Sequence, residues 1–308
     1  MEIEKNLKLF GYDNYFDELS FLFKKEKLPN KILITGKEGI GKTTFANHLI
    51  NYIFSINEDF KYNYKEKIIN TSNKSFKMIK NHVHPNYFKI SVSEGKKNIE
   101  IEQIREMIKF VNKSSFNNYK RIILIENVEM LNQFSSNALL KSLEEPNNGI
   151  IFILLHNNQK KCLETIKSRC IEYRIFLNKK YSAEIVDYYF EENIFNQISS
   201  VFKNFYVSPS SIIKLVIFCN EQKLNYENLS INELLKFYFE NTIYVKNSII
   251  NDDIKYYLEL FFYNKIKSFR NIDIVEMYNY FNKKFNFINQ FNLDKESFFI
   301  EFNNKVFK

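Results

Sequence analysis

Over roughly the first 175 residues, short apolar runs alternate with stretches whose apolar positions recur at helical spacing. The runs predict strands at 31–35, 87–92, 121–126, 150–155 and 171–175, and the helical spacing predicts helices at 13–26, 43–55, 100–112 and 133–144. Regular alternation of this kind predicts a parallel sheet with helices on both faces. Residues 56–82 are polar with weak periodicity and are expected to form an insertion or a mobile excursion.

After about residue 176 the strand pattern stops. Residues 181–222 read as short helical stretches broken at "YVSPSS", where Pro209 suits the first turn of a new helix. From about 229 the chain is aromatic-rich and helical in period. In "DIKYYLELFFYNKI", Ile254, Tyr257, Leu258, Phe261 and Phe262 fall on one stripe, as the core face of a helical bundle would. There is no internal repeat. The expected division is 1–176 for an α/β domain, 177–227 for a small helical domain and 228–308 for a helical bundle.

Composition narrows the class without choosing a function. With 45% hydrophobic and 26% charged residues, the 308-residue chain reads as globular and long enough for two or three cores. A net charge of +8 suits a nucleic-acid partner, yet the lysines are mixed with glutamates, which equally describes a solvated surface. Cys162, Cys170 and Cys219 are odd in number and far apart, arguing for a reducing compartment and against a disulfide framework. No apolar run approaches the ~20 residues of a membrane span, and "MEIEKNLKLF" lacks the apolar core of a secretory signal. The expected location is cytoplasmic, with no membrane partner.

Candidate chemistry begins at "GKEGIGKTT", residues 36–44. It fits the phosphate-binding loop G-x-x-x-x-G-K-[ST] through Gly36, Gly41, Lys42 and Thr43, with Gly39 and Thr44 inside the same stretch. The glycines let backbone N–H groups ring a phosphate, Lys42 reaches the β/γ oxygens, and Thr43 ligates Mg²⁺. An apolar strand precedes the loop and a helical pattern follows it, as the motif requires.

Hydrolysis needs more than a cradle. An acidic residue at the end of a second buried strand must hold Mg²⁺, and a neighbouring carboxylate must orient and deprotonate water. In "RIILIENVEML" (121–131) the acidic position is Glu126, but the next residue is Asn127, whose amide takes no proton near neutral pH. Glu129 lies two residues on and is expected to point elsewhere if the chain turns helical there. His156, Asn157 and Asn158, after the strand at 150–155, either face a γ-phosphate or merely cap a turn. Arg169, in "ETIKSRC" (164–170), either pairs with Glu144 or Glu145 or projects into a neighbouring subunit's phosphate site. Spacing does not separate these.

Taken in order, "LPNKILITGKEGIGKTT" (28–44), "HPNYFKI" (84–90), "IEQIREM" (101–107), "SSNALLKSLEEP" (135–146) and "TIKSRC" (165–170) resemble the bacterial DNA polymerase III clamp loader, and within it the delta-prime subunit family. That resemblance implies an AAA+ fold: an α/β nucleotide-binding domain, a helical lid and a helical collar that oligomerises. It implies ATP or ADP with Mg²⁺ at Gly36, Gly39, Gly41, Lys42, Thr43 and Thr44, with Glu126 and Asn157 nearby. It further implies that Arg169 is an arginine finger donated in trans, and that the partners are gamma/tau motor subunits, the delta subunit, the sliding clamp and primed DNA.

Several departures follow from the same alignment of motifs. Asn86 stands where the family usually has Asp. Residues 51–85 hold no cysteine, and His82 and His84 are too few to bind zinc, so no zinc is expected. Ser211, in "SPSSIIKL" (208–215), stands where the lid carries a phosphate-sensing Arg. With Asn127 in place of the base, these changes favour a stator that completes the ring without turning ATP over. The rival is a gamma/tau-type motor ATPase, which an Asp-Glu pair at 126–127 would have favoured. A small-molecule P-loop kinase would need an Arg-rich acceptor lid, which these motifs fit poorly.

Overall fold

The computed structural model describes residues 3–113, 120–144, 149–158, 162–204, 208–246, 248–269, 272–291 and 293–307. The chain divides into two units, Met1–Ile185 and Val186–Lys308.

In the first unit the order is α1 (Asp13–Lys24), β1 (Lys31–Thr35), α2 (Lys42–Ser55), α3 (Lys74–Lys80), β2 (Tyr87–Ile90), α4 (Ile101–Asn112), β3 (Arg121–Ile125), α5 (Gln133–Glu144), β4 (Ile150–His156), α6 (Glu164–Lys167) and β5 (Ile171–Arg174); α7 (Lys179–Phe190) runs across the division. The five strands form one parallel sheet in the order β2-β3-β4-β1-β5. The inner strands β1, β3 and β4 are buried on both faces, which is why they read as unbroken apolar runs. Alternate residues feed two cores. Ile32, Ile34, Ile122, Leu124, Ile151, Ile153 and Leu155 pack with α1 and α2. Leu33, Ile123, Ile125, Phe152 and Leu154 pack with α4 and α5.

Parallel pairing aligns the carboxyl ends of β3, β4 and β1 side by side, and the loops leaving those ends carry Asn127, Asn157 and the P-loop. Ligands of open parallel sheets bind at this edge.

Residues 56–82 are not a mobile excursion, one of the two expectations for them. They fold against α1 and α2, burying Tyr62, Ile69 and Phe76 and adding α3, whose first turn is capped by the Asn73 side chain accepting from Phe76 N. The apolar residues are spaced too widely for a periodic signal. Their burial comes from long-range packing, with Tyr62 stacked on Phe16 and Lys67 paired with Asp17.

The second unit continues through α8 (Ile194–Gln197), α9 (Ser200–Asn204), α10 (Pro209–Gln222), α11 (Ile231–Glu240), α12 (Ile254–Phe269), α13 (Ile272–Phe291) and α14 (Glu296–Val306), with no strand among the described residues. Pro209 opens α10 at its first turn, and the Ser208 hydroxyl caps it by accepting from Ser211 N. The predicted stripe Ile254, Tyr257, Leu258, Phe261 and Phe262 is buried throughout, and its rings meet Phe281 and Phe302. Among the described residues no helix is long and apolar enough to cross a membrane.

Candidate nucleotide site and the Arg169 turn

The loop between β1 and α2 has the backbone a phosphate cradle requires. Gly39 and Gly41 both have positive φ, +73° and +93°, and Gly41 is the N-cap of α2. Gly36 is required for a different reason: a Cβ there would lie 2.8 Å from the carbonyl oxygen of Ile175. Its N–H donates to His156 O at 3.2 Å, which ties the start of the loop to the end of β4. From below, Tyr12 donates its hydroxyl to Ile40 O at 2.7 Å. No motif in the sequence singles out Tyr12.

Lys42 is 5% exposed. Its ammonium donates to Gly36 O (2.9 Å) and Lys37 O (2.6 Å), so it lies across the mouth of its own loop. Burial pushes its pKa down to about 8, against the opposing pull of Glu129 and Glu38. Thr43 is half-buried in the first turn of α2, and the Thr44 hydroxyl donates to Asn6 Oδ1 at 3.4 Å.

At the end of β3 the chain turns sharply. Asn127 adopts a left-handed conformation (φ 54°), which asparagine tolerates better than most residues, and a 3-10 turn follows at Val128–Met130. Asn157 donates through Nδ2 to Asn127 Oδ1 at 2.5 Å. Glu126 pairs with Lys89 of β2 (3.1 Å), the strand on the far side of β3 from β1.

Glu129 departs from expectation. Instead of pointing away, its Oε1 accepts from Asn157 N at 3.2 Å, and its Oε2 is buried without a hydrogen-bond partner. The left-handed step at Asn127 turns it back toward the P-loop. An Asn before a Val-Glu turn was the signal available in the sequence.

Arg169 lies in the turn between α6 and β5. It contacts Glu144 Oε1 through Nη2 (2.6 Å) and Nε (3.1 Å) and Thr165 O through Nη1 (2.9 Å), with a third of its side chain exposed. Glu145 lies outside the described residues. Ile171 is level with Ile32, and β1 runs on to Thr35 before the P-loop, so Arg169 starts about 13 Å below Gly36 at ~3.3 Å per residue. Its guanidinium is engaged by Glu144, the last residue of α5, and by Thr165 O, not by the residues of the P-loop.

The remaining candidates have structural partners. Ser211 donates to Asp253 Oδ1 at 2.7 Å. His84 stacks on Phe54, its ring centroid 4.2 Å away, and its Nδ1 accepts from Asn86 N. Cys162 and Cys219 are buried, Cys170 is partly so, and all three are free thiols that burial pushes up to about 11, 12 and 11 respectively. Among the described residues no group of three or more His, Cys, Asp or Glu is placed to hold a metal ion.

The family model described as "DNA polymerase III, delta subunit" matches residues 11–178. A DNA polymerase III subunit delta' from Pseudomonas aeruginosa is 37% identical over 89 residues, which is 29% of this chain and 27% of that protein. A DNA polymerase III subunit gamma from Buchnera aphidicola subsp. Schizaphis graminum is 27% identical over 199 residues, 64% of this chain and 48% of that protein. The matched stretches thus span about a quarter to a half of these relatives' lengths. A solved DNA polymerase III gamma subunit-related protein from Thermotoga maritima superposes with a TM-score of 0.50 at 16% identity, covering 92% of this chain and 97% of that one, which shows a shared fold. The parallel sheet, the P-loop at its carboxyl edge and a family match over more than half the sequence lead to one conclusion: the chain belongs to the DNA polymerase III delta-subunit family.

Proposed function

We propose that this chain is the delta-prime-type member of its clamp loader, a stator that binds nucleotide without turning it over and supplies Arg169 to the ATP site of an adjoining gamma/tau motor subunit. The single observation that carries the non-hydrolysing role is Asn127. It stands where a motor needs a carboxylate base, and its amide oxygen is occupied by Asn157 at 2.5 Å. Glu126, the remaining acidic group of the strand end, is engaged by Lys89.

The P-loop residues fit a nucleotide phosphate. Two left-handed glycines shape the loop, α2 presents its N-terminus, and Lys42 already sits at the mouth. Mg²⁺ bound with the nucleotide would supply positive charge that neutralises the phosphates. Thr43, in the first turn of α2, would hold it, and Glu126 would join only on releasing Lys89. The position of Arg169, some 13 Å from its own cradle along the strand direction, supports a role toward a neighbour rather than in cis. In this assignment 1–176 is the AAA+ domain, 177–227 the lid and 228–308 the collar. The partners are motor subunits, delta, the sliding clamp and primed DNA.

The gamma/tau alternative retains a specific observation in its favour, the longer match to a gamma subunit. Purified chain assayed for nucleotide binding and single-turnover hydrolysis side by side separates the two. Binding of ATP–Mg²⁺ or ADP with negligible turnover is expected. Hydrolysis at the rate of an active loader motor, abolished by Lys42→Ala, would assign the chain to the motors instead.

A further inference from the structure

Glu129 is a carboxylate set into the phosphate corner with one of its two oxygens buried and unused. Three links place it there. Gly36 N–H reaches His156 O, the next residue's N–H reaches Glu129 Oε1, and Lys42 donates to Gly36 O. The Glu129 charge acts on Lys42 through space and is the foremost influence opposing the effect of its burial. Oε2, buried and without a hydrogen-bond partner, is the one unsatisfied acceptor of this group. A buried carboxylate oxygen left in that state is costly unless a cation balances it.

We propose that Glu129 is the counter-charge of Lys42 and a specificity-determining residue that makes this P-loop favour ADP over ATP. The proposal rests on the P-loop being a nucleotide site. Lys42 in such a loop serves the β/γ oxygens. An ADP β-phosphate is held chiefly by the backbone N–H groups at the α2 N-terminus, whereas a γ-phosphate must draw Lys42 off the Gly36 and Lys37 carbonyls and accept the Glu129 charge in the same corner. Like charges held within about 4–6 Å in a desolvated corner shift equilibria by one or more powers of ten. A carboxylate serving instead as a Mg²⁺ ligand would strengthen ATP binding, so the two roles predict opposite signs.

The test uses the full-length chain with Mg²⁺ and two probes, ADP and the non-hydrolysable ATP analogue adenylyl imidodiphosphate, titrated calorimetrically into wild type, Glu129→Gln and Glu129→Ala. Gln keeps an acceptor for the Asn157 N–H and removes the charge; Ala removes both, and thermal unfolding checks that each variant is folded. Wild type should bind ADP more tightly than the analogue, and each variant should lower the ratio of analogue Kd to ADP Kd by about tenfold or more. An unchanged ratio, or weaker analogue binding in Glu129→Gln, overturns the proposal, while ADP binding by wild type leaves the nucleotide site standing. Absence of binding by every protein to both probes overturns the nucleotide site and this inference together.

Discussion

Asn157 Nδ2 lies 2.5 Å from Asn127 Oδ1, so two side-chain amides close the gap between the ends of β3 and β4 where a motor would hold a catalytic carboxylate. Asn127 is also left-handed, at φ 54°. Replacing it separates two contributions. Asn127→Gly loses the hydrogen bond, about 0.5–1.5 kcal/mol, and raises the unfolded chain's entropy by about 0.4–1 kcal/mol, whereas Asn127→Ala loses the same bond and adds left-handed strain of about 1–2 kcal/mol. Urea unfolding should therefore rank the proteins wild type, then Gly, then Ala. A smaller loss in the Ala variant than in the Gly variant would mean that the backbone at this position is not held left-handed.

Lys42 predicts an alkaline signature. Burial lowers its pKa to about 8, below the unfolded value near 10.5, so between those values the unfolded chain binds more protons and stability rises with pH. The charge-burial cost is full below about pH 8 and fades above it. Relative to Lys42→Met, wild type should gain on the order of 2 kcal/mol between roughly pH 7 and 10. Denaturant unfolding of both proteins across that range measures it; parallel curves would show that Lys42 is not desolvated.

His48 gives the acid counterpart. It is fully buried between Tyr62 OH (2.8 Å) and Asn6 O (3.0 Å), and burial pushes its pKa down to about 4. The unfolded chain takes up the proton first as pH falls below about 6.5, so stability held near neutrality is lost progressively down to about pH 4. His48→Gln should flatten that slope by on the order of 1–3 kcal/mol, read from unfolding midpoints at successive pH values. His84, held near 4 by burial in the same way, leaves a residual slope of the same sign.

Much of the first unit was legible because its chemistry is local. The run Lys31–Thr35 and the α5 span Gln133–Glu144 appear where apolar spacing places them, and the other predicted helices and strands agree to within two residues. The strand at 87–92 ends early, at Ile90. Residues 56–82 were not legible, since Tyr62, Ile69 and Phe76 gain their burial from α1 and α2, distant in sequence. Within the site, the cradle glycines and Lys42 announce themselves by spacing. Glu129 does not, because its direction depends on one left-handed residue, and Tyr12 reaches the loop through a contact 28 residues apart in sequence. Arg169 and its pairing with Glu144 were among the readings the sequence offered, but spacing did not choose between that ion pair and a role in trans, because the contact joins the end of α5 to a turn 25 residues on.

Clamp loading with Arg169→Ala tests the central claim most directly. As an exposed ion pair with Glu144, Arg169 contributes about 1 kcal/mol or less to stability. As a finger acting on the developing charge of a neighbouring transition state, it is worth about 10³-fold or more at that site. Complexes reconstituted from wild-type motor subunits and either version of this chain, matched for folded protein, should assemble alike and differ in the rate of loading the sliding clamp onto primed DNA. The account predicts a severe loss of loading with Arg169→Ala while the variant's unfolding midpoint stays close to wild type. Loading at the wild-type rate would contradict it and leave Arg169 as the surface partner of Glu144.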